Sequence, residues 1–350
     1  MTLFLETVNL TKIFSAGVIR RRKTVAVENV TMSINEDSPT ILAVAGESGS
    51  GKTTLARLLL GVIAPTSGQV IYRGDSVNEL SREQRRAYLR EIQPIFQDPF
   101  ESFNPFYKVD HVLTTPVAKF SLADSKTEAD RLIEQALDMV GLQPSETLGR
   151  FPHQLSGGQR QRVMVARAML LRSRLIVADE PVSMVDASLR ATILEGIRLM
   201  KRDLGISVLY ITHDLTTAYQ IADNILIMYK GSVVEAGSVE QVICDPKHPY
   251  TQLLVSSIPQ PDPEIAWGAD GEIAGDPEAL DVAATGCKFV DRCPLAFDRC
   301  QSNHPPLYRE HLSRAAACYL YADSPVLDQD TLNEVFVLDG APEPEGDPAR

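Results

Sequence analysis

Apolar and polar positions follow three kinds of spacing along this chain. The stretch MTLFLETVNLTKIF at 1–14 alternates them, which predicts a strand and lacks the charged start and long apolar run of a signal peptide. Short, β-branched apolar runs predict further strands at 41–45, 69–73, 92–96, 175–179, 206–212 and 225–229. Helical spacing fills the gaps between them, so the pattern predicts an α/β fold with a largely parallel sheet covered by helices. From about 98 to 165 the pattern turns helical, as in TEADRLIEQALDMVGL, and predicts an inserted helical subdomain. The core then runs over 1–258. An acidic, Pro- and Gly-bearing linker follows at 259–284, then a small cysteine-containing segment at 285–325 and a tail at 326–350 that predicts disorder. There is no internal repeat and no run of eighteen apolar residues that would span a bilayer.

Composition narrows the functional classes. The 350 residues allow about two domains with cores of their own. A net charge of −12 argues against a nucleic-acid partner, because such domains carry a basic face that replaces phosphate counterions. The basic run IRRRK at 19–23 reads as a solvated loop. Of five cysteines, Cys244 stands apart and reads as a buried thiol. Cys287, Cys293, Cys300 and Cys318 form C-x5-C-x6-C-x17-C. In a chain without an export signal, four clustered thiols point to a [4Fe–4S] cluster, a structural Zn²⁺ or plain thiols, and the lack of a C-x2-C pair tilts the choice to the cluster. Such a staple would replace the core that so small an extension lacks.

Four stretches carry chemistry. In GESGSGKT, Gly46, Glu47, Ser48, Gly49, Ser50, Gly51, Lys52 and Thr53, with Thr54 after them, fit a P-loop that follows a strand and opens a helix. Glycines let backbone N–H groups converge on phosphates, Lys52 reaches the terminal phosphates, and Thr53 offers Mg²⁺ a hydroxyl. LIVADE at 175–180 is a buried strand ending in two acids. Asp179 is suited to bind Mg²⁺ through water. Glu180, on the opposite strand face, is suited to orient or deprotonate the attacking water. His213 ends the strand of VLYITHD, at the edge where ligands collect in open α/β sheets, and is assigned a hydrogen bond to the γ-phosphate. Between the P-loop and the acidic strand, Ser156, Gly157, Gly158 and Gln159 open an arginine-rich helix whose free N–H groups and dipole suit a second anion.

GESGSGKT, FQDP at 96–99, LSGGQ at 155–159, ADEP at 178–181, SMVD at 183–186 and THD at 212–214, in that order, resemble the ATP-binding subunit of an ABC transporter over about residues 3–255. FQDPFESFNP, DPKHPYTQLL and GCKFVDRCPLAFDRCQSNHPP resemble the oligopeptide and dipeptide importer branch in particular. The resemblance implies a P-loop ABC-type ATPase core that binds ATP with Mg²⁺. It implies a second cassette, identical or paralogous, docked head to tail so that each signature loop covers the other chain's ATP. It assigns Phe14 to adenine stacking, Gln97 to sensing Mg²⁺ and the attacking water, and Asp186 to the opposite subunit. Two transmembrane permease subunits, an extracytoplasmic solute-binding protein and a peripheral place on the cytoplasmic face of the membrane complete the expectation. Peptide is the expected cargo, with oligosaccharide or nickel as alternatives and a soluble ATPase that remodels DNA or ribosomes as the rival class. Pro181-Val182-Ser183-Met184-Val185-Asp186 departs from the family's Pro-Thr-Ser-Ala-Leu-Asp.

Overall fold

The structure, a computed structural model, describes residues 3–16, 22–95, 103–183, 185, 187–258, 285–327 and 332–336. Two long strands, β1 (Leu3–Ala16) and β2 (Arg22–Asn35), pair antiparallel. With β4 (Ser67–Tyr72) and β5 (Asp75–Ser76) they form one sheet, in the order β2-β1-β4-β5. Lys23, expected in a loop, lies in β2.

The second sheet carries the site. Its parallel part runs β6 (Ile92–Ile95), β7 (Leu175–Asp179), β8 (Ser207–Thr212), β3 (Ile41–Ala45) and β9 (Asn224–Tyr229). These strands are apolar runs because both faces are covered. Leu42 and Val44 of β3 point into one core with Leu55, Leu58 and Leu59 of α1 (Lys52–Leu59). Ile41, Ala43 and Ala45 point into the other, with Ile193 and Ile197 of α7 (Ala187–Leu204) and Leu215 and Ala218 of α8 (Leu215–Ile221). Each fully buried aliphatic side chain contributes about 2 kcal/mol. A capped helix, α2 (Arg82–Glu91), leads into β6.

A third core belongs to the helices inserted between β6 and β7. Leu113 and Val117 of α3 (Asp110–Phe120), Ile133, Ala136 and Leu137 of α4 (Lys126–Met139), and Val163 and Ala166 of α6 (Gly157–Leu170) pack together. The short α5 (Pro144–Thr147) links α4 to α6.

The C-terminal extension continues the central sheet. β10 (Ser232–Ser238) pairs antiparallel with β9 on one side and with β12 (Arg314–Ala316) on the other, and β11 (Tyr308–His311) pairs with β12. The eight strands run β11-β12-β10-β9-β3-β8-β7-β6. Three short helices, α9 (Val239–Cys244), α10 (Pro249–Ser256) and α11 (Asp298–Ser302), pack along this edge.

Two expectations change here. Residues 332–336, expected in a disordered tail, include a 3-10 turn with Leu332 and Val335 buried, and its Asn333 exchanges two 2.8 Å hydrogen bonds with Ser33 of β2. Cys244 is exposed, its thiol 3.7 Å from the Tyr219 hydroxyl, so it is no core residue. The expected linker at 259–284 and the stretch 337–350 lie outside the described residues. No helix among the described residues is long and apolar enough to cross a membrane.

Candidate functional site

The glycine loop between β3 and α1 lies at the C-terminal edge of the parallel strands, where this architecture places its ligands. Gly46 has φ 147° and Gly51 φ 109°. A Cβ on Gly46 would stand 2.2 Å from the Met228 carbonyl oxygen, and one on Gly51 2.1 Å from that of Ala26. Backbone crowding as well as dihedral freedom therefore demands glycine at both. The Lys52 ammonium folds back onto the carbonyls of Gly46 (2.6 Å) and Glu47 (2.8 Å), with Ser50 Oγ at 3.5 Å. Burial lowers its pKa, opposed by the charges of Glu180, Asp179 and Glu47.

The acids of the β7 end stand across from the loop. Asp179 Oδ1 is 3.5 Å from Thr53 Oγ1, and burial raises its pKa while that hydrogen bond lowers it and Glu180 raises it further. This hydroxyl and carboxylate are hard oxygen donors, a set that fits Mg²⁺. The strand ends at Asp179, so Glu180 is not on its opposite face, as the alternation predicted. Glu180 adopts φ 47° and donates its N–H to the Ile211 carbonyl at 2.9 Å. That left-handed turn aims its carboxylate at His213, with Oε1 2.9 Å from Nδ1.

Together Ser48, Gly49, Gly51, Lys52, Thr53, Thr54, Glu180 and His213 line a cavity of about 550 Å³, whose remaining wall is Thr24, Val25 and Ala26 of β2. No pattern in the sequence signals that wall, since β2 shows no apolar run of its own. Phe14 sits on β1 opposite Thr24, is 44% exposed, and has the Lys12 ammonium 5.3 Å from its ring centre. It is a surface aromatic beside the cavity and no part of a core.

Ser156 caps α6. Its Oγ accepts from Gln159 N–H at 3.2 Å, and the Gln159 side chain accepts from Ser156 N–H at 2.9 Å. The box occupies two of the first-turn donors, and helix geometry offers no acceptor to those of Gly157 and Gly158. None of these four residues lines the P-loop cavity of their own chain. Gln97 and Asp186 lie outside the described residues.

Cys287, Cys293, Cys300 and Cys318 line one small apolar cavity with His248, Phe289 and Tyr319. Burial raises the thiol pKa of Cys287, Cys293 and Cys318, the last to about 11. Among the described residues no group of three His, Cys, Asp or Glu is arranged to hold a metal ion, so the structure supports neither the [4Fe–4S] cluster nor the Zn²⁺ expected from the sequence.

A phosphate-cradling loop, a lysine buried beneath it, and two acids and a histidine at the neighbouring strand ends define a P-loop nucleotide-binding protein. The ABC transporter family model matches residues 27–183, and that of the oligopeptide/dipeptide transporter C-terminal region matches 234–300. The chain is 39% identical to a probable peptide ABC transporter ATP-binding protein, y4tS, of Sinorhizobium fredii, over 85% of this chain and 83% of that one. It is 37% identical to the putative oligopeptide transport ATP-binding protein YkfD of Bacillus subtilis, over 91% and 96%. Among solved structures it is similar to the ATP-binding cassette MJ0796, a dimer in a post-hydrolysis state bound to ADP and phosphate, with a TM-score of 0.59 at 26% identity over 67% of this chain and 98% of that one. The chain belongs to the ABC transporter family, in the branch that carries the oligopeptide/dipeptide transporter C-terminal region. It is an ATP-hydrolysing enzyme of that family.

Proposed function

We propose that this chain hydrolyses ATP to drive peptide import as one of two cassettes beneath a pair of permease subunits. One observation carries the reading: the chain holds two phosphate-binding features, and its signature helix start takes no part in the cavity of its own P-loop. Each needs the other half from a second chain. Lys52 and the loop N–H groups hold the phosphates, Thr53 and Asp179 hold Mg²⁺, and Glu180 positions and deprotonates the attacking water. His213, paired with Glu180, reaches the γ-phosphate, while the partner's signature loop closes the site. Phe14 stacks on adenine, Gln97 senses the metal and the water, and Asp186 contacts the partner. Losing the γ-phosphate removes the bridge between the two chains, and that opening is the motion the permeases use.

A groove of about 450 Å³ between the core (Leu60, Val62, Leu89), the loop before α3 (Phe103, Tyr107) and α3 itself (Phe120), with the neighbouring Phe106 87% exposed, supports a permease segment docking there. The relatives' names support peptide as the cargo, delivered by an extracytoplasmic binding protein, and place no weight on oligosaccharide, nickel or a soluble ATPase. The chain then works at the cytoplasmic face of the membrane. The four thiols are not arranged as a ligand set, but they are soft donors lining one apolar cavity, a chemistry that fits a [4Fe–4S] cluster held by Cys287, Cys293, Cys300 and Cys318. When bound, the cluster would staple the extension. Anaerobically purified protein is expected to contain iron and inorganic sulfide in equal amounts; zinc, or no metal, would remove the cluster.

Gly157→Asp tests the two-chain site. No atom lies within 4 Å of the new Cβ, so the fold is undisturbed, but the carboxylate would face the partner's phosphates. Hydrolysis is expected to fall about 100-fold while the isolated chain binds MgATP as before. Unchanged hydrolysis would refute the shared site.

A further inference from the structure

The cysteine-bearing extension reaches back to the P-loop of its own chain. Within it, residues 287–293 form a tight turn: Val290 donates its N–H to the Cys287 carbonyl at 3.0 Å, Arg292 to Phe289 at 3.0 Å, and Cys293 to Val290 at 3.3 Å. This turn projects Arg292 onto Glu47, the second residue of GESGSGKT. Nη1 and Nη2 each donate to a separate carboxylate oxygen, both at 2.9 Å. The guanidinium also lies 5.8 Å from the ring centre of Tyr229 and 5.5 Å from that of Phe289, and only 12% of its side chain is exposed. Such a two-pronged, partly desolvated pair fixes orientation as well as distance.

Glu47 is held at its backbone too. Its N–H donates to the Tyr250 hydroxyl at 2.7 Å. Tyr250 is fully buried, its own N–H donating to His248 Nδ1 at 3.1 Å, and the N–H groups of Lys247 and His248 donate to the buried Glu235 carboxylate. The HPYT stretch, which the sequence singles out only as a family resemblance, thus has a mechanical purpose. The Glu47 carbonyl, in turn, accepts from the Lys52 ammonium and from Ser50 N–H at 3.1 Å. One residue therefore joins the extension to the phosphate-binding lysine.

We infer that Arg292 is a positioning residue for the nucleotide site: through Glu47 it holds the P-loop in its phosphate-ready shape, so the cysteine-bearing extension sets the affinity of its own chain for MgATP. The inference rests on the proposed ATPase reading. It makes no use of any group the thiols hold, but whatever alters the 287–293 turn is felt at Lys52. Removing Arg292 leaves Glu47 partly exposed and solvated, so the loop loosens without burying a lone charge.

The test measures binding of a fluorescent ATP analogue with Mg²⁺ and steady-state hydrolysis, on the full chain with its partner cassette. Arg292→Ala is expected to weaken binding and raise KM about tenfold while kcat stays within about twofold, because a loosened loop costs binding before chemistry. Arg292→Lys restores only part, since an ammonium cannot make two parallel bonds. Glu47→Gln, which breaks the pair from the other side, reproduces the loss, and adding it to Arg292→Ala costs little more. The exchanged pair Glu47→Arg with Arg292→Glu regains affinity that neither single change has. The inference is overturned if Arg292→Ala binds and turns over like wild type, or if its loss is additive with Glu47→Gln and the exchanged pair rescues nothing. Wild type that fails to bind MgATP would instead overturn the ATPase reading.

Discussion

Glu180, proposed to direct the attacking water, takes a backbone conformation that non-glycine residues seldom adopt. At φ 47° it turns out of β7 and meets His213 at 2.9 Å, where an extended strand would have aimed it away from Asp179. The left-handed turn, and not strand alternation, sets the Glu180 carboxylate beside His213 while Asp179 faces Thr53. Behind the P-loop, beneath Tyr250, His248 is buried, and burial holds its imidazole down at about 3, with His304 adding to the effect. The unfolded chain takes that proton near pH 6.5, and the folded one does not. The stability contribution is therefore complete above pH 6.5 and is lost as the pH falls toward 3, reaching about 2 kcal/mol of loss at pH 5. Glu235, pushed up to about 7 by its burial, acts in the opposite sense between pH 4.5 and 7. Comparing wild type with His248→Gln, whose amide oxygen still accepts the Tyr250 N–H, isolates the histidine. Urea midpoints recorded from pH 7 to 5 are expected to drop less in the variant, and equal drops would contradict a neutral buried His248.

Elements differ in how plainly the sequence announces them. β3 and β7 were legible to the residue, because a parallel strand covered on both faces is an unbroken apolar run, here ended by a glycine loop or an acid pair. The P-loop and the capped start of α6 were legible too, since glycine and serine at fixed offsets announce turns and caps. β2 was hidden by the basic run at its start. β12, only Arg-Ala-Ala, is a strand because β10 offers it an edge, which no local pattern foretells. Arg292 and Glu47 are separated by 245 positions, and nothing in either neighbourhood signals that they meet. The one available signal was Arg292's place between two cysteines of a motif already singled out.

At the scale of the whole molecule, one sheet joins the nucleotide site to the extension. β3, which delivers the P-loop, neighbours β9, then β10, and then the strands of the extension. Arg292 and Tyr250 cross that edge to grip the loop, while the inserted helices carry the signature helix start elsewhere on the chain. On the proposed reading one chain is incomplete as a catalyst: the P-loop, Thr53, Glu180 and His213 line one cavity, Asp179 stands 3.5 Å from Thr53, and the signature helix start lines no part of that cavity. ATP hydrolysis per chain, measured across a wide range of protein concentration with and without a second cassette, tests this most directly. The account predicts that specific activity vanishes on dilution and rises to a plateau as pairs form, either of this chain with itself or with a paralogue. Full specific activity in a dilute solution of lone chains, indifferent to concentration, would contradict it.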